Sequence, residues 1–359
     1  MNRRVTSTHA SAGRLASRPP LRALGHGEQQ RNPIRDDGDS CTRTSILLAL
    51  LSLPLTTSML LAVDRDFSEH LDALWDFDAP AISEARFRAE LAKHPIPSRE
   101  ARETTTQVAR ALALQRKFAD ADAALDTLAN DLDKAPARIR VRYLLERGRI
   151  RNSSGKREDA VLLFRQAANA ALTDTLPGAD FYRVDALHML GIATPPDEQI
   201  DWNLRALAAA DGSADVRARG WRGSLFNNIG WTYHDRGDYA TALDYWQKGL
   251  TAREAAGDKA RAKIAKWTLA RGLRSLNRLD EAEKIQRELV VENEKAEAPD
   301  GYVYEELAEI ALARNDAAAA KPWAAKAYTV LKNDIWLAAN EKARLARLAE
   351  IGGVVGVVK

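Results

Sequence analysis

The chain has 359 residues, of which 45% are apolar and only 6% aromatic, enough for two ordinary domains or one extended array. Its formal charge of +3 comes from residues 1–45, where eight Arg meet four acids; taking these away leaves 45 basic and 46 acidic residues. A near-neutral body lacks the concentrated basic face that phosphate neutralisation needs, so no nucleic-acid partner is expected. A single cysteine, Cys41, excludes an intrachain disulfide and a Cys-based zinc site.

In chain order, residues 1–45 are rich in Arg, Ser, Gly and Pro without a helical period and read as a disordered extension. Thr44–Val63 carries no charge and is broken by Pro54, with Arg43 before it and Asp64 after it. Residues 46–63 thus read as a secretory signal cleaved near Ala62, with a retained membrane anchor as the alternative. A lead of some forty residues is long for a signal and implies a translation start downstream of Met1. The export reading places the mature chain in the periplasm or outside the cell; without export it is cytoplasmic.

Residues 64–351 read as helix after helix. The Ala, Leu, Arg and Glu that dominate them are strong helix formers, and runs of alternating Val, Ile and Thr are nearly absent. Asp66–Leu91 forms an atypical first helix pair, with Pro80 at a favoured first-turn position. The clearest internal unit is Phe226–Gly249, with Phe226, Ile229, Gly230, Tyr233, Gly237, Tyr239, Ala242, Trp246 and Gly249. Its order of large, apolar–small, aromatic, turn glycine, aromatic–Ala–aromatic–small resembles the tetratricopeptide repeat (TPR), in a long-repeat bacterial type of 38–42 residues.

Sliding that frame places small residues at Ala109, Gly148, Gly230, Ala270 and Ala308. Second-helix anchors follow twelve residues later at Ala121, Ala160, Ala242, Ala282 and Ala320. Gly155, Gly237, Asn277 and Asn315 sit where the first helix must end in a left-handed conformation. The third unit departs, with His188 for the small residue, Pro195-Pro196 for the turn, Ile200 for the anchor, and Trp202 and Leu204 as apolar contacts. Units are expected near 104–130, 143–172, 182–210, 224–254, 264–294 and 302–332. A short closing helix over Glu341–Ile351, basic on its outer face, and a flexible tail over 352–359 complete the chain. The fold class is all-α, a right-handed solenoid of stacked antiparallel helix pairs.

No phosphate-cradling glycine loop, HExxH or Gly-flanked serine elbow occurs, so neither an enzyme nor a cofactor or metal site is expected. His188 reads as a helix-packing residue. The resemblance implies a concave face lined by first helices. Positions i, i+4 and i+7 there give Asn227, Trp231 and His234 in unit four and Trp267, Arg271 and Arg274 in unit five. Arg110 and Arg149 take the matching place in units one and two, and Glu305 and Glu309 in unit six. The expectation is a groove with two exposed tryptophans among arginines, acidic at its C-terminal end. Such residues suit a protein or peptide partner; a membrane partner follows only from a retained anchor. The expected function is therefore a non-catalytic scaffold or adaptor, with a cytoplasmic regulatory or sensory module as the alternative.

Overall fold

The computed structural model describes residues 67–175 and 178–354. The Arg-rich extension, Cys41, the apolar segment and the end of the expected tail lie outside the described residues. Seventeen α-helices follow one another within them, and no strand occurs among them. A short opening pair is α1 (residues 67–73) and α2 (Pro80–Leu91). Three helix pairs come next: α3 (Arg99–Leu114) with α4 (Phe118–Ala129), α5 (Ala137–Ser153) with α6 (Arg157–Leu172), and α7 (Ala179–Ala193) with α8 (Gln199–Asp211).

A short helix, α9 (Val216–Arg219), leads into α10 (Arg222–Asp235) with α11 (Tyr239–Ala255), α12 (Lys259–Ser275) with α13 (Leu279–Lys295), and α14 (Gly301–Ala313) with α15 (Ala317–Leu331). The chain closes with α16 (Ile335–Asn340) and α17 (Lys342–Gly352). Each helix packs on its own partner and on the next pair, so buried apolar residues form successive clusters along the array. The solenoid of antiparallel pairs is the architecture observed.

The small anchors explain why the pairs close. Ala121, Ala160, Ala242, Ala282 and Ala320 are all fully buried, as are Ala109 and Ala270. A Cβ on Gly148 would stand 2.4 Å from the Phe164 ring, and one on Gly230 would stand 2.3 Å from Trp246 Nε1. Glycine is required there because a large ring of the second helix lies against first-helix backbone.

The turns repeat one hydrogen-bond pattern. The amides of Lys117, Lys156, Asp238, Arg278 and Asp316 reach back to the carbonyls of Leu112, Arg151, Tyr233, Leu273 and Ala311 at 2.8–3.0 Å. That closure needs a left-handed residue just before the donor. Gly155, Gly237, Asn277 and Asn315 supply it, with φ of 84°, 83°, 57° and 60°. In the first unit Arg116 does so at φ 63°, a position that residue type does not announce. Second helices α11 and α15 then open on Asp238 and Asp316, whose side chains accept from backbone amides.

The third unit corrects the expected register. The close approach is at Gly191, where a Cβ would meet Asn203 at 2.5 Å, and the residues buried on α8 are Asn203, Ala206 and Ala210. Ile200 and Trp202 are only half-buried and Leu204 is exposed. Without a left-handed turn residue, Thr194 leaves α7 extended and the hairpin pairs closer to its loop. Asn203 fits because its amide donates to the Gly191 and Gln199 carbonyls at 3.2 and 2.9 Å.

Candidate functional site: the inner wall of the array

First helices meet one another along one side of the array, the side that the repeat resemblance makes the inner wall, and a polar rung joins each to the next. Arg110 Nη1 on α3 lies 3.5 Å from Glu146 Oε1 on α5. Arg149 on α5 donates to both Asp185 oxygens on α7 at 2.5 and 2.6 Å, and to Glu146 at 2.6 Å. His188 Nε2 on α7 lies 3.0 Å from the Asn228 amide nitrogen on α10. His234 Nε2 on α10 lies 2.9 Å from Ser275 Oγ on α12.

On α12, Arg274 donates to Glu306 on α14 at 2.5 and 3.2 Å, and Arg271 adds a contact at 3.4 Å. Glu305 on α14 accepts from Arg344 on α17 at 2.7 and 2.5 Å, and Glu309 accepts from Arg347. Six rungs therefore run the length of the array, ionic at both ends and neutral in the middle.

Burial decides how these groups behave. Burial pushes the Glu306 carboxyl up, but Arg274 and Arg271 outweigh it and hold it below the usual carboxylate range. Burial and then the Arg271 charge bring His234 down to about 4, so its ring is neutral near pH 7. Burial lowers Arg271 and Arg110 as well, yet guanidinium stays charged at any ordinary pH.

The expected tryptophans are not exposed. Trp231 and Trp267 retain 4% and 6% of their surface. Trp231 packs 5.0 Å from Trp246 and 6.5 Å from Trp267 between ring centroids, with the Arg271 guanidinium 5.8 Å away over its face. The Trp267 indole donates to the Tyr302 carbonyl at 3.0 Å. Adjacent units thus share one aromatic cluster, and area burial draws these rings inside rather than into the groove.

Nor is the C-terminal end acidic. Glu305 and Glu309 are neutralised because Arg344 and Arg347, expected outside, turn inward from α17. Asn227 is half-buried, its carbonyl accepting from Trp246 Nε1 at 3.2 Å. His188 fills a packing position, buried with its ring 4.8 Å from Trp221.

Sequence reasoning missed the acids Glu146, Asp185 and Glu306. They lie 36, 36 and 35 positions beyond Arg110, Arg149 and Arg271, one repeat less a helical turn. That separation is a signal a pairwise search of the frame could have found. A second missed group lies at the N-terminal edge. Arg142 pairs with Glu103 at 3.0 Å, Arg138 pairs with Asp174 at 2.8 Å, and Arg217 pairs with Asp72 at 2.5 Å. The Tyr182 ring lies 4.9 and 4.8 Å from the Arg138 and Arg142 guanidiniums.

The sequence match and the geometry point the same way: residues 223–256 match the tetratricopeptide repeat family model, and the same small-anchor, left-handed-turn frame recurs in the units around them. Residues 223–256 are similar to a tetratricopeptide repeat, and the described residues share its fold. No curated protein matches the sequence.

Among solved structures, this chain is similar to a STAND signal-transduction ATPase with a TPR sensor from Pyrococcus horikoshii. That match has 15% identity and a TM-score of 0.59, and covers 82% of this chain and 46% of that one. It is also similar to the Cut9–Hcn1 hetero-tetramer of APC/C (13% identity, TM-score 0.51, 82% of this chain and 54% of that one). NprR in complex with its cognate peptide NprX matches at 16% identity and TM-score 0.50, covering 82% of this chain and 86% of that one. At such identities the likeness shows the fold. Among the described residues, no group of His, Cys, Asp or Glu could hold a metal ion, and no helix is long and apolar enough to cross a membrane.

Proposed function

We propose that this chain is a non-catalytic scaffold that receives a segment of a partner protein along its inner wall, after export from the cytoplasm. The observation that carries the reading is the continuity of that wall. Side chains from successive first helices, and finally from α17, touch across six junctions, so an extended chain meets one unbroken surface that is ionic at both ends and neutral in the middle. NprR, which shares the fold, is seen with a peptide, and that supports the same use here. The binding groups are the half-buried edges of Arg149, Asn227, His234 and Arg274. Trp231, Trp267, Arg110 and Arg271 hold the wall in shape behind them.

Adding bulk on the wall without removing an ion pair tests this. Asn227→Arg with Ser275→Arg should reduce capture of partners from an envelope extract at least about 10-fold, a loss of about 1.4 kcal/mol, with helicity unchanged. Undiminished capture refutes the wall as the site. For export, N-terminal sequencing of the mature chain should give a start near Val63; an intact apolar segment on a cytoplasmic chain refutes it.

A further inference from the structure

The first helix among the described residues reaches past its neighbour. Ser68, Leu71 and Asp72 fall at i, i+3 and i+4 on one face of α1, and Trp75 follows three residues later, beyond the end of the helix. Each of them meets the inner wall. Ser68 Oγ donates to Glu103 Oε1 at 2.8 Å and lies 3.4 Å from Arg138 Nη1. Asp72 reaches Arg217 on α9, 145 positions away in sequence. Trp75 Nε1 donates to Gln107 Oε1 at 3.2 Å, and the Arg110 guanidinium lies 5.6 Å from its ring. Leu71 is fully buried. The segment thus lies across α3, α5 and α9, touching first helices by the faces they turn inward. An amphipathic helix held in a groove by anchors at this spacing is a recognised mode of partner binding.

The fit is incomplete. Asp72 Oδ1 and Glu103 Oε2 are buried with no hydrogen-bond partner, and burial pushes the Asp72 carboxyl up despite Arg217 and Arg142 beside it. Buried polar atoms left unsatisfied weaken the seating of this segment and mark it for early opening.

We infer that residues 67–75 are a displaceable ligand held in cis, and that the partner entering this end of the wall is a short amphipathic helix of the same chemistry. It presents a hydroxyl, a leucine and a carboxylate at i, i+3 and i+4, with a tryptophan three residues further on. The inference rests on the wall being the partner site. Release of α1 uncovers Arg217, Arg142, Glu103 and Gln107 together, and the incoming carboxylate takes the place of Asp72.

The test uses the full chain. A fluorescein-labelled peptide of residues 67–79 is titrated into the natural protein and into Leu71→Ala/Trp75→Ala, which weakens the cis segment and leaves the groove side chains in place. The double variant, its helicity retained, should bind at least about 10-fold more tightly, because affinity for the natural protein is reduced by the fraction of grooves that stand open. A peptide carrying Asp72→Ala and Trp75→Ala should bind neither. Equal binding by the two proteins, or binding by neither, overturns the inference.

Should the double variant lose helicity, hydrogen exchange on the natural protein decides. Amides of α1 exchanging well ahead of those of α3 uphold a displaceable segment; exchange together with α3 overturns it. The two readings fail separately. Captured partners without peptide binding remove only this inference, whereas peptide binding with capture indifferent to Asn227→Arg/Ser275→Arg removes the proposed function and leaves residues 67–75 a displaceable segment with no partner of this kind.

Discussion

The inner wall is closed by two different chemistries. From α3 to α7 its contacts are ionic, with Glu103, Arg110, Arg142, Glu146, Arg149 and Asp185 all buried or half-buried. From α10 to α12 they are aromatic, with Trp231, Trp246 and Trp267 clustered beside a neutral His234. The frame beneath is the same in units one and two as in units four and five: a small residue on the first helix and a fully buried Ala twelve positions on. The backbone repeat therefore does not dictate what fills the wall. Aromatic filling is non-directional and tolerates small shifts between units. Ionic filling does not, because a displaced helix leaves a buried charge unpaired. The ionic half specifies which helix meets which; the aromatic half supplies area.

Breaking that contrast gives the largest expected effect. Glu103→Ala strands Arg142, whose side chain is 3% exposed, and should cost about 3–5 kcal/mol in urea unfolding. Replacing both partners, Glu103→Leu with Arg142→Met, should cost less than either single change. A double variant as damaged as the sum of the singles would show that pairing is not what the ionic half contributes. In the aromatic half the sensitive quantity is volume. Gly230→Ala drives a methyl into Trp246 and should cost about 1–3 kcal/mol. Trp246→Phe, which removes the atom that is struck, should recover part of that loss in the double variant; strictly additive losses would contradict this geometry.

How much of this was legible in the sequence follows the same divide. The frame was readable because it recurs. Ala, Gly and Asn at fixed offsets answer to sterics, and sterics act on residue type alone. The filling was not, since Trp231 looks the same in sequence whether it faces a groove or a neighbouring Trp267. The inner arginines were placed on the correct helices, yet their acids sit on the next unit, at a separation no helical period marks. The third unit failed for a local reason. With Pro195-Pro196 in place of a left-handed residue the hairpin pairs closer to its loop, and Asn203, a polar residue, becomes the buried contact. Nothing short of the backbone carbonyls it satisfies would identify it.

The neutral rung predicts a pH effect confined to the middle of the array. His234 is lowered from 6.5 to about 4, chiefly by burial and then by Arg271. Its folded value lies below its unfolded one, so its contribution is fully present above about pH 6.5 and is lost as pH falls from there toward about 4. Thermal unfolding should show a falling midpoint through that window, and His234→Gln should flatten this part of the profile. An unchanged profile in the variant would place the titration elsewhere.

The smallest effect sharpens the comparison at the turns, where units two and four use Gly, units five and six use Asn, and unit one uses Arg116. Left-handed backbone costs a side-chain-bearing residue about 1–2 kcal/mol. Arg116→Gly removes that strain but frees the unfolded chain, which costs about 0.4–1 kcal/mol. It also loses a guanidinium 5.5 Å from the Phe118 ring, a contact worth about 0.5 kcal/mol at an exposed position. The balance is a gain of a few tenths of a kcal/mol, read as a slightly higher urea midpoint at unchanged slope. A lower midpoint would mean that the stack on Phe118 outweighs the strain, and that arginine holds this turn by its side chain where glycine and asparagine hold the others by their backbone.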